Sequence, residues 1–219
     1  KDNKNFDLKA VVDPDPCSRS NALINWNINE VKSTVKELEN PEEFEVAVLA
    51  APPDVDKVSL IKNLTNLKAV MVEKPLALNT TIAQKFIQDC INRSIKIQVN
   101  FTRRGNTELI RLAQSLEDEI GKIQCSFALY GNGLKNNGSH LIDWARMFMG
   151  EVTWVQSIAN GKSFKEGPLQ DDVNLPFILG FKSKNILMVQ SLKFNQYREN
   201  LLDFWGEKGR LFFSQEGLI

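Results

Sequence analysis

The chain has 219 residues, 42% apolar and 25% charged, which is ordinary for a soluble globular protein and enough for one large or two modest domains with real cores. Its 27 Lys and Arg balance 27 Asp and Glu, so no basic footprint points to nucleic acid or to an anionic membrane. No apolar run reaches the length of a membrane span.

The first half alternates strands and helices. Leu8 to Val12 (LKAVV) reads as a strand ending at Asp13. Val31, Val35 and Leu38 recur at helical spacing, with Asn27 or Asn29 as N-cap. Val46 to Ala51 (VAVLAA) reads as a second buried strand, stopped by Pro52 and Pro53. Val55, Val58, Leu60 and Ile61 indicate a short helix. Leu67 to Val72 (LKAVMV) is a third strand, of the apolar kind that a parallel sheet buries on both faces. Asn79 or Thr80 then caps a helix carrying Ile82, Phe86, Ile87, Cys90 and Ile91 on one face. Ile95 to Phe101 is a fourth strand. Strands separated by helices predict a parallel, doubly wound α/β sheet over residues 1–101.

Residues 102–219 have another character. Thr107 to Leu116 and Gly138 to Met149 read as helices, and Lys122 to Tyr130 as a strand. Longer strands begin at Glu151. Val173 to Phe181 and Ile186 to Phe194 flank a hairpin turn at 182–185, and Arg198 to Trp205 and Arg210 to Phe213 flank another at 206–209. This predicts an α+β domain with a largely antiparallel, open sheet.

Several polar residues stand where chemistry is expected. Ligands of open α/β sheets bind just outside the carboxyl ends of the strands, and Glu73-Lys74-Pro75 follows the third strand at once. Asp13 ends the first. It is either a turn aspartate in Asp-Pro-Asp-Pro or the acidic residue that bonds a nucleotide ribose; Arg19 lies close enough to meet a 2′-phosphate instead. Arg103 and Arg104 follow the fourth strand, as a solvated linker or as groups that orient a substrate. His140, the single histidine, shares a helix face with Asp143. It can move a proton near neutral pH. Cys17, Cys90 and Cys125 form no metal or redox motif and fit a reducing, cytoplasmic setting. No metal site is expected.

Together, LKAVVDPDP (8–16), VAVLAAPPDVD (46–56), KAVMVEKPLALN (68–79), IQVNFTRR (97–104), NNGSHLIDWARMFMGEV (136–152) and FWGEKGRLFF (204–213) resemble the Gfo/Idh/MocA family of nicotinamide-dependent oxidoreductases. The resemblance implies an N-terminal Rossmann domain, a C-terminal α+β domain whose open sheet often mediates homo-oligomers, and NAD or NADP as cofactor, with Asp13 leaning to NAD. It makes Lys74 the motif lysine that touches cofactor and substrate, with Glu73 beside it, and allows a cis Lys74-Pro75 bond. It makes His140 the residue that exchanges a proton with the substrate hydroxyl. Ala51, Pro52 and Pro53 become the loop along the cofactor, and Asp13 the ribose contact. The implied substrate is a sugar, cyclitol or nucleotide-sugar, contacted by Arg103, Arg104, Asn136 and His140.

Two departures stand out. Many members carry an aspartate where this chain has Asn136, which leaves proton transfer to His140 with help from Lys74. The G-x-G-x-x-G loop expected about 20 residues before Asp13 does not fit in the 12 residues printed there, so the chain reads as a fragment at both ends. The alternative function is a non-catalytic, dinucleotide-binding regulator of the same fold.

Overall fold

The computed structural model describes residues 5–26, 28, 30–158 and 164–215. Backbone contacts divide it into two units, Lys1–Val99 and Asn100–Ile219.

The first unit runs β1 (Ala10–Val12), α1 (Pro16–Trp26), β2 (Glu30–Lys32), β3 (Val46–Leu49), α2 (Lys57–Ile61), β4 (Ala69–Val72), α3 (Thr80–Asn92) and β5 (Lys96–Val99). All its strand pairs are parallel: β1 with β2, and β4 between β3 and β5. In the doubly wound order 3-2-1-4-5-6, β2 and β1 take the first two places and β3, β4 and β5 the last three. Among the described residues no strand joins the two sheets.

Helix α1 is a feature that periodicity misses. Its residues PCSRSNALINW show no apolar stripe, and only Ala22 is buried. Local chemistry starts it instead: Pro16 fits the first helical position, and the Asp15 carboxylate accepts hydrogen bonds from Ser18 N and Oγ, both at 2.8 Å. The helix expected at 31–38 is not formed. Val31 lies in β2, Val35–Glu37 is a single 3-10 turn, and Leu38 is extended. Strand pairing with β1 overrides the helical spacing. The proposed caps Asn27 and Asn29 lie outside the described residues.

The other elements follow their sequence signals closely. Asn79 caps α3, its side chain accepting from Ile82 N at 3.0 Å. Phe86 and Cys90 of that helix pack with Ile61, Leu64, Val70, Val72 and Ile95 in the core of the unit. One expectation fails: β3 is not buried on both faces. Val46 is 43% and Val48 62% exposed, whereas Ala47 and Leu49 on the other face pack against the core.

The second unit holds α4 (Thr107–Ile120), β6 (Ile123–Tyr130), α5 (Ser139–Met149), β7 (Val152–Ser157), β8 (Phe164–Lys165), β9 (Val173–Asn174), β10 (Phe177–Phe181), β11 (Ile186–Ser191), β12 (Asn200–Gly206) and β13 (Arg210–Gln215). Six strands form one open sheet in the order β13-β12-β6-β11-β10-β7. Every pair is antiparallel except β11 with β6. Val173 to Phe181, read as one strand, breaks at Leu175-Pro176 into β9 and β10, and β9 pairs with β8 instead of the large sheet. Proline cannot donate to a ladder.

Register sorts the two faces of this sheet. One row crosses Leu179, Leu187, Ser126, Phe204 and Leu211. These belong to, or pack on, a core shared with Leu116 and Ile120 of α4 and with Leu141, Trp144, Ala145 and Phe148 of α5; Ser126 sits in the row and donates to Ile186 O at 2.7 Å. The neighbouring row crosses Ile178, Met188, Phe127, Asp203 and Phe212 on the opposite face. Gly180 is required here: a Cβ would come within 2.0 Å of the Trp154 indole.

Leu187 is fully buried in the middle of the core row. Leu187→Ala is expected to destabilise the protein by about 2–5 kcal/mol, read as a lower midpoint in urea denaturation with little change in slope.

Candidate active site

In the first unit, three sets of candidate residues each follow the carboxyl end of a parallel strand: Asp13 after β1, Ala51 to Pro53 after β3, and Glu73 and Lys74 after β4. Asp13 N donates to Lys32 O at 3.1 Å, and Asp13 Oδ1 accepts from Asp15 N at 2.8 Å. Arg19 turns back on the same loop and donates to Asp13 O at 2.7 Å and Pro14 O at 2.9 Å. This gives Arg19 a role in shaping the Asp13 turn. Glu73 N donates to Leu49 O at 2.9 Å, which ties the start of the Glu73-Lys74-Pro75 segment to the end of β3. The Lys74-Pro75 peptide is cis.

Lys57 has no obvious sequence signal, yet it braces this loop set. Its Nζ donates to Pro52 O at 3.1 Å, and the residue is only 4% exposed. Burial pushes its ammonium below the usual lysine range, with Asp54 opposing the shift. A lysine one place after a helix cap reads in sequence as a solvated charge, so only the fold identifies it.

In the second unit, Phe101, Arg103, Arg104 and His140 meet around the start of α5. The His140 ring stands edge-on to Phe101, with centroids 5.6 Å apart and planes at 87°. Arg104 grips Asp143: its Nε lies 3.0 Å and its Nη2 3.0 Å from carboxylate oxygens, and Nη2 also donates to Asp143 O at 3.1 Å. The side chain of Asp143 is 10% exposed. Such a two-point, partly buried pair fixes the arginine-bearing turn against the first turns of α5.

Arg103 does something else. Its guanidinium lies 4.4 Å from the Trp144 ring centre. Together with Thr102, Asn137, His140, Leu141, Trp144 and Asn200 it lines a cavity of about 280 Å³. Arg103 and Trp144 also line a second cavity of about 440 Å³ with Thr102, Asn106, Leu109, Phe213 and Ser214. The Trp144 indole N–H is buried and has no acceptor among the described residues.

The segment ahead of His140 is clamped by residues without a sequence signal of their own. Asn132 is left-handed at φ 61° and Gly133 at φ 93°, and Gly133–Gly138 forms a π-helical turn. Irregular turns of this type recur at functional sites. The Asp172 carboxylate, 1% exposed, accepts from Lys135 N and Asn136 N at 2.9 Å and from Val173 N at 3.0 Å. Asn174 Oδ1 accepts from Gly133 N at 2.9 Å, and its amide donates to Glu166 Oε2 at 2.7 Å. Glu166 Oε2 also accepts from Asn132 N at 3.0 Å. A Cβ on Gly133 would come within 2.2 Å of Asp172 Oδ2, so this close grip needs glycine. Asn136 is 9% exposed and its amide donates to Asn132 O at 3.1 Å; its side chain helps close the turn. An acid ahead of a strand looks like an ordinary turn acid, and the acceptor role of Asp172 depends on β9 crossing the π-helical turn.

Among the described residues no group of three or more His, Cys, Asp and Glu side chains could hold a metal ion, and no helix is long and apolar enough to cross a membrane.

Comparison with known proteins adds the following. Residues 1–101 match an oxidoreductase family with an NAD-binding Rossmann fold, and residues 111–212 match the GFO/IDH/MocA C-terminal domain. No curated protein sequence matches. The fold is similar to that of an oxidoreductase from Agrobacterium radiobacter in complex with NAD+, L-tartaric acid and magnesium, at 18% identity and TM-score 0.77 over 97% of this chain and 68% of that one. It is similar to scyllo-inositol dehydrogenase from Lactobacillus casei with bound NAD(H) and scyllo-inositol, at 17% identity and TM-score 0.72 over 97% and 70%. It also resembles the WlbA dehydrogenase from Bordetella pertussis in complex with NADH and UDP-GlcNAcA, at 17% identity and TM-score 0.75 over 95% and 70%. At these identities the likeness establishes the fold.

Glu166 supplies a pH test of the clamp. Burial pushes its carboxyl up, but hydrogen bonds from Asn132 N, Phe194 N, the Asn174 amide and Asn195 N outweigh burial and hold it below the ordinary value of 4.5. A depressed carboxylate contributes stability above its unfolded value and loses it as pH falls through the folded value. Thermal melting of the wild type should therefore drop steeply below about pH 4.5, and Glu166→Gln should show a shallower acid limb. Equal acid limbs would remove Glu166 from the clamp.

Proposed function

The chain belongs to the Gfo/Idh/MocA family of oxidoreductases, and from that premise we propose that it interconverts a secondary alcohol and a ketone on a sugar, cyclitol or nucleotide-sugar. The observation that carries the reading is the second-unit cavity, where His140 stands among Thr102, Asn137 and Asn200, neutral hydrogen-bonding groups suited to hydroxyls.

The first unit suits a dinucleotide. Asp13, the Ala51–Pro53 loop and Lys74 stand at the strand ends where doubly wound sheets bind ligands, and Lys57 and the Glu73 N–H hold two of these loops in place. Asp13 would bond the adenosine ribose, which favours NAD over NADP, while Arg19 is engaged in the Asp13 turn. When bound, the nicotinamide supplies hydride acceptance or donation. His140 takes the hydroxyl proton as the carbinol hydrogen leaves as hydride, and returns a proton in the reverse direction. Lys74 supplies an ammonium at the strand end of the first unit, on the dinucleotide side. The Arg104–Asp143 pair and the Asp172 clamp hold the histidine-bearing helix, so they position and do not react.

The open face of the second-unit sheet supports a partner proposal. Phe127 (42% exposed), Met188 (42%) and Phe212 (46%) share one row across it. A second copy of the chain is the proposed occupant, because Phe127 and Met188 are adjacent in this row, with Phe212 beyond Asp203, and exposed apolar groups so clustered mark an interaction surface. Phe127→Glu is expected to shift the oligomer to smaller species in light scattering while leaving the melting temperature of the unit nearly unchanged.

The catalytic assignment is tested with Lys74→Ala and His140→Ala. Each should lower kcat/KM on sugars and nucleotide-sugars by roughly 10²–10⁴-fold, followed by NADH absorbance, with NADH affinity measured separately by fluorescence. Unchanged turnover in both variants sinks the assignment. NADH binding without turnover of any substrate by the wild type supports the regulatory reading instead.

A further inference from the structure

The loop after β3 turns on one carbonyl. Pro52 O accepts from Val55 N at 3.2 Å and from Lys57 Nζ at 3.1 Å. The first bond closes a turn, and Asp56 Oδ1 caps α2 by accepting from Val58 N at 3.1 Å. Turn and helix are thus held without the lysine. The rings of Pro52 and Pro53 fix φ at both positions, so the loop is a stiff piece. The bond from Lys57 ties that piece to the first turn of α2 and sets its tilt.

Such a bond is a poor way to stabilise a fold. Lys57 is only 4% exposed, and one carbonyl offsets only part of what an ammonium loses on leaving water. Burial lowers its pKa against the attraction of Asp54. Lys57 and Ile61 are the buried residues of α2, one turn apart, so an apolar side chain at 57 would extend the core without that cost. Pro52 is exposed, and its carbonyl could bond water instead. Stability therefore does not account for a lysine here. The place of the loop does: Ala51 to Pro53 follow the carboxyl end of β3, where a doubly wound sheet meets its ligand. A loop already held in its binding geometry spares the entropy of ordering it when the ligand arrives.

We infer that Lys57 is a positioning residue for the dinucleotide: acting through the Pro52 carbonyl, it holds the loop after β3 in its binding geometry and raises cofactor affinity at a cost in stability. The inference rests on the dinucleotide role proposed for the Ala51–Pro53 loop.

Lys57→Met tests this, because it removes the charge and the donor and keeps most of the length. Fluorescence titration with NADH should give a Kd about tenfold above that of the wild type, the effect of one hydrogen bond from a charged donor. The urea midpoint should stay equal or rise, since a buried charge gives way to an apolar group. In turnover the KM for NAD should rise by a similar factor with kcat changed less than about twofold, the signature of lost binding and not of a lost chemical step. The Kd ratio should be the same at low and high salt, because the bond lies inside the protein. An unchanged Kd overturns the inference. A midpoint that falls with the affinity, or a variant that does not fold, makes Lys57 a structural brace and overturns it as well. A ratio that shrinks in salt makes Lys57 a direct phosphate contact, again against the inference. Wild type that binds no NADH defeats both the inference and the dinucleotide role of the loop. NADH binding without turnover defeats only the oxidoreductase reading, and the Kd ratio still judges Lys57.

Discussion

A buried carboxylate just ahead of a two-residue strand, Asp172, accepts hydrogen bonds from the backbone N–H groups of Lys135, Asn136 and Val173, and the placement of His140 depends on it. Two of those donors, on Lys135 and Asn136, belong to a π-helical turn whose own hydrogen bonding is irregular. Left unpaired inside the protein, each would cost roughly 1–3 kcal/mol. The carboxylate turns that cost into a constraint. It holds the turn at Lys135 and Asn136, and the helix beginning at Ser139 starts from there. Glu166 and Asn174 extend the same grip to Asn132 and Gly133.

The six-stranded sheet gives this constraint its rigidity. Alternation along β6, β11 and β12 sends Ala128, Leu187, Val189, Leu202 and Phe204 into the core with α4 and α5. Tyr130 links the end of β6 to Leu175 beside β9: its hydroxyl donates to Leu175 O at 2.8 Å and lies 3.0 Å from Leu175 N. Burial is the first cause of its pKa rising to about 12, so it stays a neutral donor throughout the working range. The cavity wall is therefore built on packed elements at every point: Arg103 on Trp144, Trp144 on Phe213 at 4.9 Å, and Phe213 on Phe148 at 5.3 Å.

Much of the fold was legible in the chain. Strands β3, β4 and β6, helices α3, α4 and α5, and both hairpin turns follow from periodicity and turn residues. The failures have physical causes. Helix α1 starts from its Pro16 and Asp15 cap without an apolar stripe, so a periodicity reading passes over it. Residues 31–38 carry helical spacing, but Val31 pairs with Val11 in a parallel ladder. Val46 and Val48 are apolar and exposed, because burial is a property of neighbours and not of the residue.

For the site, the chain by itself determined the residue types available: one histidine, a lysine ahead of a proline, and two adjacent arginines. It also determined their family, because EKPLA and GSHLID occur in that order. Tertiary structure decided what each of them does. Only the fold separates Arg104, held by Asp143, from Arg103, stacked on Trp144 in a cavity wall. Only the fold brings Asp172 to the turn before His140 and Lys57 to the carbonyl of Pro52. The physical reason is the same in each case. Charge and hydrogen-bonding capacity are written in the sequence, whereas partners and burial depend on which distant segments the sheet register brings together.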